Sequence, residues 1–111
     1  NAIDQLTTDG PWVRPDGVKV AVNRADLTDG ALFTAISQDE TGIYWGNWAV
    51  WTGTDDAGIK TSDTCDDWTD GTIVFNGSYG RSSLAETLWS GSGPNLSCDS
   101  STFVRLYCFE D

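Results

Sequence analysis

Histidine and methionine are absent from this chain of 111 residues, and basic residues are few. Without histidine, the common catalytic triads and histidine-based general bases are excluded. Six Lys and Arg against seventeen Asp and Glu give a formal charge of −11. A charge of this sign repels phosphate backbones, so we expect no nucleic acid partner. No apolar run is long enough to span a membrane, and we therefore expect no membrane insertion.

The residues that are abundant predict sheet and loop rather than long helices. Six Trp, four Phe and three Tyr provide an aromatic core, and twelve Gly indicate many turns. The length fits a single domain covering residues 1–111. Because the chain begins at Asn1 rather than Met, we expect it to be a processed or excised piece of a longer protein.

Four stretches are predicted to form strands. Val18–Val22 alternates after the Asp16-Gly17 turn, and the apolar density of 43–51 predicts a buried strand at Ala49–Trp51. Ile73–Phe75 is a shorter candidate. Thr102–Phe109 is rich in β-branched and aromatic residues and apolar on both faces, which predicts a strand inside a sheet with neighbours on both edges.

Three cysteines in a small acidic chain favour an oxidising compartment, so we expect a secreted or cell-surface protein. Cys65 and Cys98 lie in turn-rich loops that can meet at a sheet edge, whereas Cys108 lies inside the predicted last strand. We therefore predict a Cys65–Cys98 disulfide, with Cys108 unpaired or paired outside this chain.

Several short motifs, in order along almost the whole chain, resemble a bacterial family of endostatin-like domains of unknown function that includes leptospiral surface adhesins. The earlier motifs are Val13–Gly17 and Ala25–Gly30, and the later ones are Val50-Trp51-Thr52-Gly53-Thr54, Cys65-Asp66-Asp67-Trp68-Thr69, Trp89, Cys98 and Arg105-Leu106-Tyr107-Cys108-Phe109. Each motif alone is weak, but their order makes the signal fairly specific.

The resemblance implies a C-type-lectin-like fold of the endostatin type. This fold is α+β and mostly β, with a twisted antiparallel sheet, long loops, little helix and two nested disulfides. Cys65 and Cys98 match the inner disulfide, and Cys108 matches half of the outer one. The other half lies on an early helix that precedes the region matched by this chain. The resemblance therefore implies that this chain is the C-terminal part of a longer protein and that an upstream segment completes the fold.

The acidic loop Thr52–Asp70 raises the option of calcium, because hard cations bind clustered carboxylates. The candidate ligands are Asp55, Asp56 and Asp63. However, the EF-hand pattern and the motifs of calcium-dependent lectins are both missing. We favour a solvated acidic surface with local Asx turns, and we expect no cofactor unless it is calcium.

The tryptophans divide into two groups. Trp51, Trp68 and Trp89 match motif positions and are predicted to lie in the core. Tyr44, Trp45, Asn47 and Trp48 fall outside the motifs and cannot all point inward from one short stretch, so plain packing and an exposed binding surface remain open for them. An indole can stack on a sugar ring while nearby polar groups bind its hydroxyls. These four residues are our candidate ligand site.

We expect a recognition domain rather than an enzyme, since any pair of carboxylates among so many acids arises by chance. The first hypothesis is an extracellular adhesin that binds a host or prey surface protein, as the resemblance implies. The second is a glycan-binding lectin that uses the exposed aromatic residues and the acidic loop. The third is a structural tip or trimer cap of a surface fibre, in which case the chain would form a homo-oligomer.

Overall fold

Short strands and the turns between them dominate the fold. The computed structural model describes residues 1–109. Its strands are β1 (Trp12–Val13), β2 (Lys19–Ala21), β3 (Ala49–Trp51), β4 (Asn76–Arg81), β5 (Gly93–Ser97) and β6 (Arg105–Leu106). Its helices are one turn each, α1 (Arg24–Leu27) and α2 (Cys65–Trp68), with 3-10 turns at Ala2–Gln5, Thr87–Trp89 and Cys98–Thr102. Within residues 1–109, no helix has the length and apolar character needed to cross a membrane.

The strands form two sheets. β1 and β2 pair in an antiparallel ribbon, and the larger sheet has the order β5-β4-β3-β6. In the larger sheet, β3–β4 and β4–β5 are antiparallel, while β6 runs parallel to β3. The expected α+β, mostly-sheet class is therefore confirmed, as are the strand at Ala49–Trp51 and the strand within Val18–Val22.

The main core lies between the small ribbon and the 3-10 turn at Thr87–Trp89. Its buried members come from six positions along the chain: Trp12, Val20, Ala21, Leu27, Leu32 and Trp89. Trp89 is buried as predicted, whereas Trp51 is only half-buried. The prediction that Trp68 lies in the core is wrong, since Trp68 is 50% exposed. Trp68 instead lies against Trp51 at the surface, with ring centroids 6.0 Å apart.

The prediction of a strand from Thr102 to Phe109 inside the sheet is wrong in extent and position. β6 has only two residues and lies at the edge of the larger sheet, and Leu106 is 72% exposed. Beyond it, Tyr107 donates a hydrogen bond from its hydroxyl to the Trp89 carbonyl at 2.8 Å, and Phe109 packs edge-on against Trp12. Burial raises the pKa of Tyr107 above its ordinary value. The aromatic residues of this segment thus pack on the core instead of extending a strand.

The predicted strand at Ile73–Phe75 is also wrong, because the regular strand begins only after this stretch, at Asn76. β4 contains two glycines where a side chain would clash. A Cβ at Gly77 would lie 2.5 Å from Cζ3 of Trp51, and one at Gly80 would lie 1.8 Å from the Trp89 carbonyl oxygen. Glycine is required here by the close approach of other groups rather than by strand propensity.

The predicted Cys65–Cys98 disulfide is present, with the two Cα atoms 5.7 Å apart. It joins α2 to the 3-10 turn that follows β5. All four residues of α2 have positive φ, between 51° and 66°, so this turn is left-handed although it contains no glycine. The Thr64 hydroxyl caps it by accepting a hydrogen bond from the Asp67 amide at 3.2 Å.

Candidate ligand-binding cleft

The turn that follows Gln38 is organised by one carboxylate. Asp39 accepts hydrogen bonds from the Thr41 hydroxyl at 2.7 Å and from the backbone amides of Thr41 and Ile43 at 2.9 and 3.0 Å. This is the local Asx-type bonding that favours turns over regular structure. The turn brings Gln38 and Tyr44 into an isolated β-bridge and so fixes where the following aromatic residues begin.

Trp45 is held in place by the same carboxylate. Its indole Nε1 donates a hydrogen bond to Asp39 Oδ2 at 2.8 Å, and its backbone amide donates to the Ser37 carbonyl at 2.8 Å. Hydrogen bonds from Thr41 and Trp45 lower the pKa of Asp39 from its ordinary 3.8 to about 2. The indole remains 40% exposed, so Trp45 is oriented by the protein and also accessible to a ligand.

Tyr44 belongs to a second polar cluster beside the first. Its hydroxyl donates to Asp16 at 2.6 Å, and Arg14 forms an ion pair with Asp16 at 2.8 Å while lying 5.5 Å from the centroid of the Tyr44 ring. Hydrogen bonds from Tyr44 and Arg14 lower the pKa of Asp16 to about 2, and the Asp16 contact raises the pKa of Tyr44. Arg14 and the hydroxyl of Tyr44 are therefore already engaged within the protein.

Arg105 meets the aromatic residues from the opposite side. In the parallel pairing of β3 and β6, Arg105 is the partner of Val50, two residues after Trp48. Its guanidinium carbon lies 4.8 Å from the Trp48 ring centroid and 5.3 Å from that of Trp45. The two indoles are nearly perpendicular, with an interplanar angle of 83° and centroids 5.9 Å apart. An arginine therefore lies over a pair of tryptophans at the rim of the sheet.

Arg14, Asp39, Trp45, Trp48 and Arg105 line a cavity of about 670 Å³. Aromatic and aliphatic side chains form much of its wall, and Asp39, Glu40 and Arg105 supply charge. Ligand sites of drug-sized molecules have volumes of roughly 300–1,000 Å³ and combine apolar walls with a few polar groups. We call this cavity the Trp45–Arg105 cleft.

The four predicted ligand-site residues are only partly brought together. Trp45 and Trp48 line the cleft. Tyr44 lies beside the cleft and is 61% exposed. Asn47 does not line the cleft and accepts a hydrogen bond from the Ser83 hydroxyl at 3.1 Å. The structure thus places two of the four in one site and assigns the other two to neighbouring surface.

Sequence reasoning missed Asp39, Arg14 and Arg105 as parts of this site. The basic residues look scattered along the chain, yet Arg14 and Arg105 both line the cleft. The one usable signal was Arg105 itself, a charged residue in the middle of an otherwise apolar predicted strand. Its partners at 45 and 48 could not be found without the parallel pairing of β3 and β6.

The acidic residues considered for calcium, Asp55, Asp56 and Asp63, belong to the loops around the disulfide-bonded turn. Among the residues the structure describes, no three acidic or cysteine side chains converge in a way that could hold a metal ion. Asp55 directs its carboxylate to its own loop, where it accepts from the amides of Ala57 and Ile59 at 3.0 and 2.9 Å. Asp55 thus has the local Asx role.

Cys108 also lines the cleft, as an exposed free thiol within residues 1–109. It lies three residues after Arg105 on the segment that leads from β6 back to the core. The thiol can therefore report on whether the cleft is open or occupied.

Comparisons of the chain with protein-family models, with curated proteins and with solved structures found no match. The cleft must therefore be interpreted from its own geometry and chemistry.

Proposed function

We propose that this chain is an extracellular, non-enzymatic recognition domain with a C-type-lectin-like architecture of the endostatin type, and that it binds a glycan in the Trp45–Arg105 cleft. The motif order in the sequence and the mostly-sheet fold with its Cys65–Cys98 disulfide support the architectural part of the proposal. The disulfide also supports a secreted or cell-surface location, because such bonds persist in oxidising compartments.

The observation that carries the glycan proposal is the exposure of Trp45 at the wall of a concave cleft. A pyranose ring has an apolar face of C–H groups that can pack on an indole, while its hydroxyls need polar partners. Glu40 and Arg105 both line the cleft, and neither side chain has a hydrogen bond or ion pair to another described residue. They are therefore available as an acceptor and a donor for those hydroxyls.

The aromatic wall is fixed before any ligand arrives. Asp39 holds the Trp45 indole by its Nε1, and the Trp48 amide donates to the Ser82 hydroxyl oxygen at 3.1 Å. A site that is already ordered loses less conformational entropy when it binds a ligand. This favours a specific small or extended ligand over an adaptable, loop-driven contact.

The test is binding of the purified domain to an array of glycans and matrix proteins, followed by affinity measurement of any positive ligand. Trp45→Ala should lower glycan affinity about fivefold or more, since an aromatic stacking contact contributes about 1 kcal/mol or more. Phe33→Ala is the matched control, because Phe33 is also an exposed aromatic residue lying under a cation, 5.4 Å from Lys19 Nζ, but lies outside the cleft. Glycan binding should persist in chelator, because the described acidic residues form no metal cluster.

Absence of binding to every glycan would refute the proposal, as would equal glycan affinity of Trp45→Ala and the unchanged protein. Loss of binding with Phe33→Ala to the same extent would show that exposed aromatic residues contribute without regard to the cleft.

Adhesion to a host or prey surface protein is the second candidate, and a different surface favours it. Ile73 and Val74 are 75% and 76% exposed, and Phe75 next to them is also exposed. Three consecutive exposed apolar residues are a contact surface that a glycan does not need but a protein partner can cover. Protein binding that is lost in Val74→Asp and retained in Trp45→Ala would support this second function.

A further inference from the structure

Arg105 has no anionic partner among residues 1–109 of this strongly acidic protein. The other arginine of the cleft, Arg14, is paired with Asp16. The Asp39 carboxylate accepts hydrogen bonds from the Thr41 hydroxyl and the Trp45 indole. Within residues 1–109, Arg105 makes no ion pair and its guanidinium forms no hydrogen bond, although the chain has seventeen acidic residues to six basic ones.

The aromatic contacts fix where this guanidinium lies without using its donors. It is held over the rings of Trp48 and Trp45, at 4.8 and 5.3 Å from their centroids. A guanidinium carries five N–H donors, and its contact with the aromatic rings uses none of them in a hydrogen bond to a described residue, so these donors are available to a ligand. The matching ligand group is a carboxylate, whose two oxygens can accept in parallel.

We propose, building on the glycan-binding function above, that the ligand carries a carboxylate on the sugar ring, as in a uronic acid, and that Arg105 binds this carboxylate while an indole packs on the ring. Trp45 and Arg105 both line the cleft, and the guanidinium carbon lies 5.3 Å from the Trp45 ring centroid, a distance that a single sugar unit can span. Trp45 thus contacts the sugar ring, and Arg105 binds its carboxylate.

The charge of the cleft limits the ligand to a single carboxylate rather than a polyanionic chain. Asp39 and Glu40 line the cleft together with Arg14 and Arg105, so the charged lining is balanced. Outside the cleft, the formal charge of −11 repels extended runs of sulfate or phosphate. An isolated acidic sugar within a largely neutral glycan meets both conditions.

The test compares sugars that differ only in the carboxylate. The probes are the methyl glycosides of glucose and glucuronic acid, and those of galactose and galacturonic acid, titrated by calorimetry. We expect at least one acidic member to bind about tenfold or more tightly than its neutral partner. Arg105→Gln should abolish that preference, because it weakens binding of the acidic sugar more than binding of its neutral partner. Arg105→Lys should retain part of the preference, since lysine keeps the charge but loses the bidentate geometry.

Arg81→Gln is the matched control, because Arg81 also lies over an aromatic ring, 5.7 Å from the Tyr79 centroid, and does not line the cleft. The Cys108 thiol gives a second readout in each variant. A sugar bound in the cleft should slow alkylation of Cys108 by iodoacetamide, and slowing by the acidic sugar should be weaker in Arg105→Gln.

The outcomes separate this inference from the proposed function. Equal affinity for acidic and neutral sugars would overturn the carboxylate inference and leave glycan binding standing. An acidic preference that survives in Arg105→Gln, or that is lost equally in Arg81→Gln, would overturn the role of Arg105. Absence of binding to all four glycosides and to the wider glycan array would overturn the proposed function itself.

Discussion

Replacing both Cys65 and Cys98 by alanine should remove a large share of the stability of this domain. The disulfide closes a loop between residues 33 positions apart. In the chain-entropy model, opening a loop of that size gives the unfolded chain about 12 cal/mol/K, which is about 4 kcal/mol at 25 °C. Total unfolding free energies of such domains are about 5–15 kcal/mol, so the double variant should be only marginally folded.

The assay is urea unfolding followed by tryptophan fluorescence, together with thermal unfolding. With an unfolding entropy of about 2.1 cal/mol/K per residue, a loss of about 4 kcal/mol in a chain of 111 residues lowers the melting temperature by roughly 15 °C. The dependence of the unfolding free energy on urea should also become steeper, because the unfolded chain exposes more surface without the cross-link.

Cys108→Ala is the matched control, since Cys108 is an exposed free thiol and should change the unfolding free energy by less than about 0.5 kcal/mol. The reasoning is refuted if the double variant loses less than about 1 kcal/mol. It is also refuted if Cys108→Ala loses as much as the double variant, since Cys108 would then be part of a stabilising bond.

Two further perturbations test the fold and the cleft. Gly80→Ala should lower the unfolding free energy by about 3 kcal/mol or more, because its Cβ would lie 1.8 Å from the Trp89 carbonyl oxygen. The control Gly71→Ala should have little effect, because its Cβ would meet nothing within 4 Å. Equal melting temperatures of the two variants would refute this. Hydrogen bonds lower the pKa of Asp39 from 3.8 to about 2, so its contribution to stability is complete above pH 4 and is lost as the pH falls toward 2. Fluorescence-monitored acid unfolding should therefore be less steep over that interval in Asp39→Asn than in the control Asp56→Asn, and identical curves would contradict the assignment.

The sequence predicts a strand correctly where all the apolar residues of a stretch belong to the same strand. Ala49–Trp51 is apolar and central, and it forms β3 with Val50 fully buried. Thr102–Phe109 is equally apolar, but its apolar residues serve two purposes. Tyr107 and Phe109 pack on the core, whereas Leu106 lies at the exposed sheet edge. Periodicity alone cannot distinguish a buried strand from a segment that crosses an edge and then packs inward.

β4 shows a second limit. Its glycines disfavour a strand by propensity, and the apolar Ile73–Phe75 beside it is the better local candidate. The strand forms at Asn76–Arg81 because this segment pairs with β3 and β5, and Trp51 and Trp89 then approach Gly77 and Gly80 too closely for any side chain. That reason lies in tertiary packing, which local composition does not contain.

The candidate site shows the same division between local and long-range information. Trp45 and Trp48 were identifiable because a dense aromatic stretch cannot bury every ring. Arg105 lies more than fifty residues further along the chain and reaches the indoles only through the parallel pairing of β6 with β3. The chemistry of the cleft therefore depends on topology that no short motif encodes.

The left-handed turn at Cys65–Trp68 is in effect a short piece of mirror-image helix built from ordinary L-residues. Each non-glycine residue in that conformation costs about 1–2 kcal/mol, a cost that glycine would avoid. The chain accepts the strain because each end of the turn carries a side chain that glycine lacks: the Cys65 sulfur in the disulfide and the Trp68 indole against Trp51. Handedness at this turn is thus set by the tertiary contacts of its side chains against the preference of its backbone, so we expect an isolated peptide of these residues not to adopt it.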